Sequence, residues 1–580
     1  MNRKLSLLVA VVMLVGVALA GCTTPAASTS TAPAVENTTP AASASAEATP
    51  SAEASADVTA APAIDETHVV KWLDSQEPPE MNSLLMTDTV CLTLYRHVGE
   101  GLVRMGPTNE RQPGIAESWD VSDDGLTYTF HLRDAKWSNG DPITANDFAF
   151  TFKTLLNKDT GASYSYLGYL IKGGKAYNDG KGKVEDLGIE VKDDKTLVIT
   201  LERPADYFLD VCAFGVFFPV NEKFYNSVGA ANYGKDADKI LYSGPFVIET
   251  WEHEVGLVLK KNPNYWNASV VKIAGIDMRI VKDSETALNM FLAGDLDMVG
   301  VRGKQIETVE AEGFKVSHYG DGATFYIEFN TRDKIGGKAN PLANKNIRQA
   351  LSFALDRKGY VSTVLKNASL PATSYTTPEI AGKTKATFPE EFAEPLVKDN
   401  DPAAAKAALE AGLAELNLKV EDLKISMLSD DTDTAKETAA FYQECWKRNL
   451  GITVEILTMP FKSRIEKLQN NDFMMSSSGW GPDYNDPMTM LDVWETGNGN
   501  NHTGYTSKDF DALLDQARNE KDRDKRYDIY FAMEKMLMTD MPIAPVYFRV
   551  RDYTTVPELK GVVRNALQDV NLMWATFDKK

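Results

Sequence analysis

Beyond its first twenty residues the chain has no apolar run long enough to cross a bilayer. It has no Gly-x-Ser-x-Gly elbow and no His-Glu-x-x-His zinc helix, the signatures of two large hydrolase classes. Histidine is scarce, and His68, His97, His131, His253, His318 and His502 show no metal-ligand spacing. Glu252-His253-Glu254 is the one local acid/His cluster, in a strand-like run expected to face solvent. The nearest phosphate-loop candidate, Gly229 to Lys235, is followed by Asp236 where a magnesium site needs Ser or Thr. Basic residues fall short of acidic ones, 61 against 82, for a formal charge of −21. That deficit argues against nucleic acid or anionic lipid as the main partner. Of 4 cysteines, Cys91, Cys212 and Cys445 are far apart and odd in number, which suggests buried thiols rather than a disulfide framework. Cys445 shares an apolar helical stripe with Phe441.

What is there begins with an export signal. Arg3 and Lys4 precede an apolar run from Leu5 to Val17, and Leu19-Ala20-Gly21-Cys22 closes it. Leu-Ala-Gly-Cys resembles the bacterial lipobox, which implies a signal peptide over 1–21 and a lipid on Cys22 that tethers without spanning. From Thr23 to about Pro62 nearly every residue is Ala, Thr, Ser, Pro or Glu. So few large apolar side chains do not offset the entropy of ordering, and residues 22–64 read as a disordered tether behind the lipid. Long tethers of this kind resemble those of Gram-positive lipoproteins. The globular part is therefore expected outside the cell, at the outer face of the cytoplasmic membrane.

The remaining chain is long enough for more than one domain. Asp123-Asp124-Gly125 is a turn, and Leu126, Tyr128, Phe130 and Leu132 then alternate with polar residues as in a half-buried strand. His131 falls on the polar side and is expected to have no role. Thr144 with Asp147 forms a helix-start box before Phe148, Phe152 and Leu155. Two short β-rich runs between Leu187 and Leu201, split by Asp193-Asp194, predict a hairpin. A helix starts near Asn344, with Ile347, Ala350, Leu351, Ala354 and Leu355 on one face. The final third alternates helices (403–416, 435–449, 461–469) with strands (452–457, 544–550), a pattern of α/β architecture.

The most unusual stretch is Gly479-Trp480-Gly481-Pro482-Asp483-Tyr484-Asn485-Asp486-Pro487. Its glycines and prolines predict a shaped loop rather than a regular element. Asp483, beside two aromatics, could offer a partly desolvated carboxylate to a cation; a proline-rich surface turn fits the composition equally well. This stretch resembles the ligand-site segment of the oligopeptide-type (family 5) solute-binding proteins of ABC importers. Further segments are similar to the same family: Gly99-Glu100-Gly101-Leu102-Val103, the block from Ala116 to Pro142, Tyr242-Ser243-Gly244-Pro245-Phe246, Asn262-Pro263-Asn264-Tyr265-Trp266, Ile347-Arg348-Gln349-Ala350-Leu351 and Asp356-Arg357. The resemblance covers essentially everything after the tether.

That resemblance implies an α/β fold of the two-lobed periplasmic-binding-protein type II, in its large form with an extra small domain and mixed sheets in hinge-linked lobes. The implied division gives 65–107, 187–287 and 545–580 to lobe I, 108–186 to the extra domain and 288–544 to lobe II. It implies an extracytoplasmic receptor, a monomer, that closes on an oligopeptide and delivers it to a membrane permease with ATPase subunits. No enzyme activity, cofactor, metal or nucleic-acid partner is implied.

In the family, the carboxylate at the position of Asp483 pairs with the peptide α-amino group. Trp480, Gly481 and Tyr484 go with it, as walls of the site or as loop packing. Glu328 matches a position near the ligand termini, or is a solvent-facing strand carboxylate; Phe461 matches an aromatic wall, or is core. Thr89, Val90 and Cys91 lie where the first lobe approaches the peptide. There is one departure: Ser476-Ser477-Ser478 stands where some members carry an Arg that meets a short peptide's carboxylate. That points to longer ligands or a different basic anchor. Relatives of this fold bind dipeptides, glutathione, nickel complexes or oligosaccharides, and a signalling-peptide receptor would use the same site; a peptide hydrolase is the remote alternative.

Overall fold

The computed structural model describes residues 63–567 and 569–579. The expected signal peptide, Cys22 and nearly all of the tether lie outside them. Among the described residues no helix is long and apolar enough to cross a membrane.

Three larger sheets organise the chain. In the first, Val69–Asp74 runs parallel to Gly275–Ile280, which is followed antiparallel by Gly256–Lys261 and Phe246–Glu252. The second is antiparallel throughout, in the order Ala116–Val121, Thr127–Leu132, Thr196–Thr200, Ile189–Asp193. Its Thr127–Leu132 strand shows the expected period of two, with Tyr128, Phe130 and Leu132 buried and the residues between them half-buried. Thr144 and Asp147 close the capping box on the helix Ala145–Leu156, whose Phe148, Phe152 and Leu155 are buried beside this sheet.

The third sheet has seven strands. At its centre the long strands Val316–Phe329 and Ile543–Thr555 run antiparallel, with a register shift between Gly320 and Thr324. Met475–Trp480 pairs with Val316–Phe329 on its other side, followed by Ile425–Asp430 and Val454–Met459 in parallel. Parallel neighbours need crossovers, supplied by the helices Asp433–Leu450 and Phe461–Gln469. This mixed α/β architecture is the two-lobed binding-protein fold implied above.

Several expectations need correction. The hairpin 189–200, which the implied division sets apart from 108–186, is hydrogen-bonded to Thr127–Leu132 in one sheet. The expected boundary at 544/545 runs through the strand Ile543–Thr555, which pairs with Val316–Phe329 along almost its whole length. The loop at 479–487 is shorter than expected, because Gly479 and Trp480 still pair with Phe325 and Thr324 as strand. Glu252, His253 and Glu254 are exposed as expected, and the His253 ring contacts Glu77 at 2.5 Å and Asp236 at 3.1 Å. Cys91, Cys212 and Cys445 are buried free thiols, as expected.

Three of the motif segments meet at one point. The Gly244 N–H donates to Val98 O at 2.9 Å, and Asn262 Nδ2 donates to Gly244 O at 2.9 Å. Glu100 is buried and accepts from Tyr265 Oη at 2.9 Å and Trp266 Nε1 at 3.3 Å, while its N–H donates to Ser243 Oγ at 3.0 Å. A Cβ on Gly244 would lie 2.5 Å from Gly99 N and 2.6 Å from Val98 C, both backbone atoms. Gly244→Ala is therefore expected to lower stability by about 1–3 kcal/mol, as overpacking against backbone does; urea unfolding of the two proteins measures it.

Candidate functional site

The strand Met475–Trp480 delivers the chain into the turn 481–487, and the short helix Met488–Leu491 receives it. Two side chains of that helix and strand fix the turn. Thr489 Oγ1 accepts from the Asp483 N–H at 2.9 Å, and Thr489 O accepts from Trp480 Nε1 at 3.1 Å. Tyr484 is buried, stacked on Tyr207 with ring centroids 4.7 Å apart and planes 7° from parallel. Its hydroxyl donates to Asp492 Oδ2 at 3.2 Å.

Asp483 is held between these anchors. Tyr164, from the segment after the helix Ala145–Leu156, donates to its Oδ1 at 3.2 Å. The other oxygen, Oδ2, is sealed from solvent and has no protein hydrogen-bond partner. A buried polar atom in that state is costly. Burial first, and the Asp492 carboxyl second, hold the Asp483 carboxyl well above the usual carboxylate range; the Tyr164 hydrogen bond and the Arg96 charge pull the other way and lose. Asp492 is itself pushed up to about 7 by burial, against the pull of Arg518 and Tyr484. Unpartnered buried polar atoms recur on nearby residues: Asp492 Oδ1, Tyr166 Oη, Trp494 Nε1 and both side-chain atoms of Asn500. Such atoms call for a partner from outside the chain, a water or a ligand.

Two cavities lie at the turn. Asp483 and Tyr484 border the smaller, about 40 Å³, together with Arg96, Phe214 and Trp574. The larger, about 440 Å³, is lined among others by Arg111, Asp210, Arg564, Tyr319, Glu379 and Pro482. Met105, Asp210 and Leu567 border both, so the two are neighbours. The larger volume lies within the range of small-ligand pockets. Among the described residues no cluster of three His, Cys, Asp or Glu side chains is placed to hold a metal ion.

The expected site residues are not all brought together. Asp483 and Tyr484 share the smaller cavity, and Trp480 is adjacent, its ring 6.0 Å from that of Tyr164. Gly481 leaves open space: a Cβ there would find its nearest neighbour at 3.9 Å. Glu328 is not a solvent-facing strand carboxylate; it is buried, accepts from Ser478 Oγ at 2.9 Å and lies 3.6 Å from His502. Phe461 is half-buried at the start of its helix, under the Arg464 guanidinium at 5.1 Å. Cys91 is buried with its thiol on Glu80 O, while Thr89 is exposed and Val90 half-buried in the same first turn. None of these last five borders either cavity. Tyr164, Arg96 and Asp492 were missed, since no local pattern links positions so far apart.

Residues 110–502 match the model of the bacterial extracellular solute-binding proteins, family 5, middle region. The chain belongs to this family. The oligopeptide-binding protein OppA of Bacillus subtilis (strain 168) is 36% identical over 515 residues, which cover 86% of this chain and 91% of that protein. Among solved structures of the family fold, Listeria monocytogenes OppA bound to peptide superposes with a TM-score of 0.83 at 34% identity, covering 89% of this chain and 100% of that one. The pheromone receptor PrgZ, described with its mode of peptide binding, gives 0.82 at 27% identity, covering 88% of this chain and 100% of that one. Family membership makes the chain a solute-binding protein of the bacterial extracellular family 5 type.

Proposed function

We propose that this protein captures oligopeptides outside the cell and passes them to an ABC permease with its ATPase subunits. The observation that carries the reading is Asp483 Oδ2, a buried carboxylate oxygen without a partner. An α-ammonium group supplies both the missing hydrogen bond and the opposite charge, a combination that is strong where water is excluded. Backbone pairing along an extended peptide would add affinity without reading sequence. Relatives named as oligopeptide- and peptide-binding proteins support the ligand class.

The working cycle is closure of two lobes on the ligand, driven by contacts made only in the closed state. In this reading the sheet that starts at Val69 anchors lobe I, the sheet around Thr127–Leu132 the extra domain, and the seven-stranded sheet lobe II. The protein acts as a monomer, has no catalytic role, and is held at the outer membrane face by a lipid on Cys22. Likeness to a pheromone receptor favours a second reading, a signalling peptide in the same site. Native mass spectrometry of the purified protein separates the two: mixed short-peptide masses support uptake, and a single dominant peptide supports signalling.

The direct test is calorimetric titration with one peptide, with its amino terminus free or acetylated. Acetylation removes the charge and is expected to weaken binding at least 30-fold; equal affinities overturn the reading. The carboxyl raised by burial adds a signature. Pairing with an ammonium group needs the carboxylate, so binding releases a proton between the usual carboxylate range and the raised value. Affinity therefore rises with pH through that window, and the observed heat depends on the ionisation enthalpy of the buffer. Heat independent of the buffer throughout that window would remove the linkage.

A further inference from the structure

Outside the residues that border the two cavities, one histidine stands between two acids. His253 lies at the tip of the hairpin that joins Phe246–Glu252 to Gly256–Lys261. Its Nδ1 meets Glu77 Oε1 at 2.5 Å, and its Nε2 meets Asp236 Oδ1 at 3.1 Å. Glu77 follows the strand Val69–Asp74, and its side chain is only 10% exposed. The same carboxylate accepts from Trp251 Nε1 at 3.1 Å and from the Glu254 N–H at 3.0 Å. The Trp251 ring lies 4.7 Å from that of His253, and Glu252 is exposed. The nearby lysines are engaged by other acids: Lys235 by Glu80, Lys239 by Asp238, and Lys282 by Glu254 and Asp431. Among the described residues no lysine or arginine forms an ion pair with Glu77 or Asp236.

A neutral imidazole has one N–H and one lone pair, so one of these contacts would set a lone pair against a carboxylate oxygen. The imidazolium donates to both. Partial burial pulls the His253 pKa down, but the hydrogen bonds and charges of Glu77 and Asp236 outweigh it and leave it above the ordinary histidine value. Two of the three segments meet without the ring. The Met81 N–H donates to Gly234 O at 2.7 Å, and Asn82 N leaves no room for a Cβ on Gly234. The hairpin tip is the loose party: Val255 is exposed, and Glu254 holds a φ of 63°, which favours glycine. We infer that His253 is a proton-operated clamp, which when charged pins the tip 251–255 to Glu77 and Asp236 and when neutral releases it. The tip in turn holds the end of the strand Gly275–Ile280, since Val255 O accepts from the Ile280 N–H at 2.9 Å. Just beyond, Lys282 joins Glu254 at 3.4 Å to Asp431 at 2.9 Å, past the strand Ile425–Asp430 of the seven-stranded sheet. A charged His253 thus braces the passage from the first sheet to the third. Stability from such a group is complete below the unfolded histidine value and is lost as pH rises through the folded one. In stronger acid, protonation of the two carboxylates removes the grip.

Two measurements on the full protein test the clamp. Proton NMR of the histidine rings, with His253→Gln to assign the His253 signal, should show it titrating above the ordinary value of about 6.5. Glu77→Gln and Asp236→Asn should each bring that titration down. Hydrogen exchange, corrected for the intrinsic pH dependence of amide exchange, reads the tip itself. In the wild type, protection of the Glu254, Val255 and Ile280 amides should fall about two- to fivefold as pH rises through the titration, the scale of exposed ion pairs. In His253→Gln those amides should be weakly protected at every pH, with no step, while amides of Leu257 and Leu259 exchange as in the wild type and show that the variant is folded. His253→Lys keeps its charge beyond the histidine range and should retain part of the protection in mild alkali. A His253 titration at or below the ordinary value overturns the assignment. So does protection that ignores pH in the wild type, or that changes with pH alike in the wild type and His253→Gln.

Discussion

Asp483→Asn is expected to weaken binding of a peptide with a free amino terminus about 30-fold to several-thousand-fold, the 2–5 kcal/mol range for truncating one member of a buried charge pair. Calorimetry with an acetylated peptide provides the control, because that ligand never had the pair to lose and should bind both proteins alike. The same substitution should act in the opposite sense on stability. The folded state raises the Asp483 carboxyl above its unfolded value, so it holds the proton more tightly than the unfolded chain does. Stability from this group is present in acid and is lost as pH rises through the raised value. At neutral pH the wild type in this sealed conformation is therefore destabilised by the buried acid, and the Asn variant should melt higher. The gap should close as the pH falls to the usual carboxylate range. A variant that loses affinity and melts lower at neutral pH would mean that Asp483 chiefly holds the loop together.

Arg357→Ala is the second large effect, and it concerns the scaffold. Arg357 is fully buried and donates to Pro545 O at 2.6 Å, Ser352 O at 3.2 Å, Lys398 O at 3.1 Å and Ser352 Oγ at 2.9 Å. Arg348, one helix earlier, donates to Met541 O, Asp540 O and Leu342 O in the same manner. Together they tie the helix Lys345–Phe353 to the start of the central strand Ile543–Thr555. Removing the Arg357 guanidinium strands several buried carbonyls, with an expected loss of about 3–5 kcal/mol. Lys at this position should not rescue it, since a single ammonium does not reproduce a planar fork of donors. Chemical denaturation reads the loss, and the fraction still folded at low temperature should bind peptide with wild-type affinity. Wild-type stability in Arg357→Lys would show that charge alone suffices.

These two residues also mark what was legible in the sequence. Period-two alternation at 126–132 and the Thr144–Asp147 box carry their structure locally, and both formed as expected. The motif segments around Glu100, Gly244, Asn262 and Arg357 could be recognised as landmarks, but their purpose could not. Each is a long-range hydrogen-bond junction whose partners lie far along the chain, such as Glu100 with Tyr265. Sheet membership was hidden for a related reason. A hairpin such as 189–200 predicts its own pairing, yet nothing within it says which third strand it joins. At the site, Asp483 stood out because its neighbours are unusual in composition. Tyr164 did not, being a single residue in an ordinary context that acquires meaning only by what folding sets beside it.

The sealed oxygen of Asp483 also bears on the order of events in time. An ammonium group has no route to Oδ2 while that atom is shut off from solvent, so the ligand must arrive while the cleft is open. Once closure buries the pair, the peptide leaves only when the protein opens again. Residence time is then set by the opening rate, and each peptide slows that rate by the contacts it makes only in the closed form. Differences among peptides should therefore appear mainly in how fast they leave rather than in how fast they arrive. A receptor of that kind admits broadly and holds selectively, and a docked permease could advance release by prising the lobes apart.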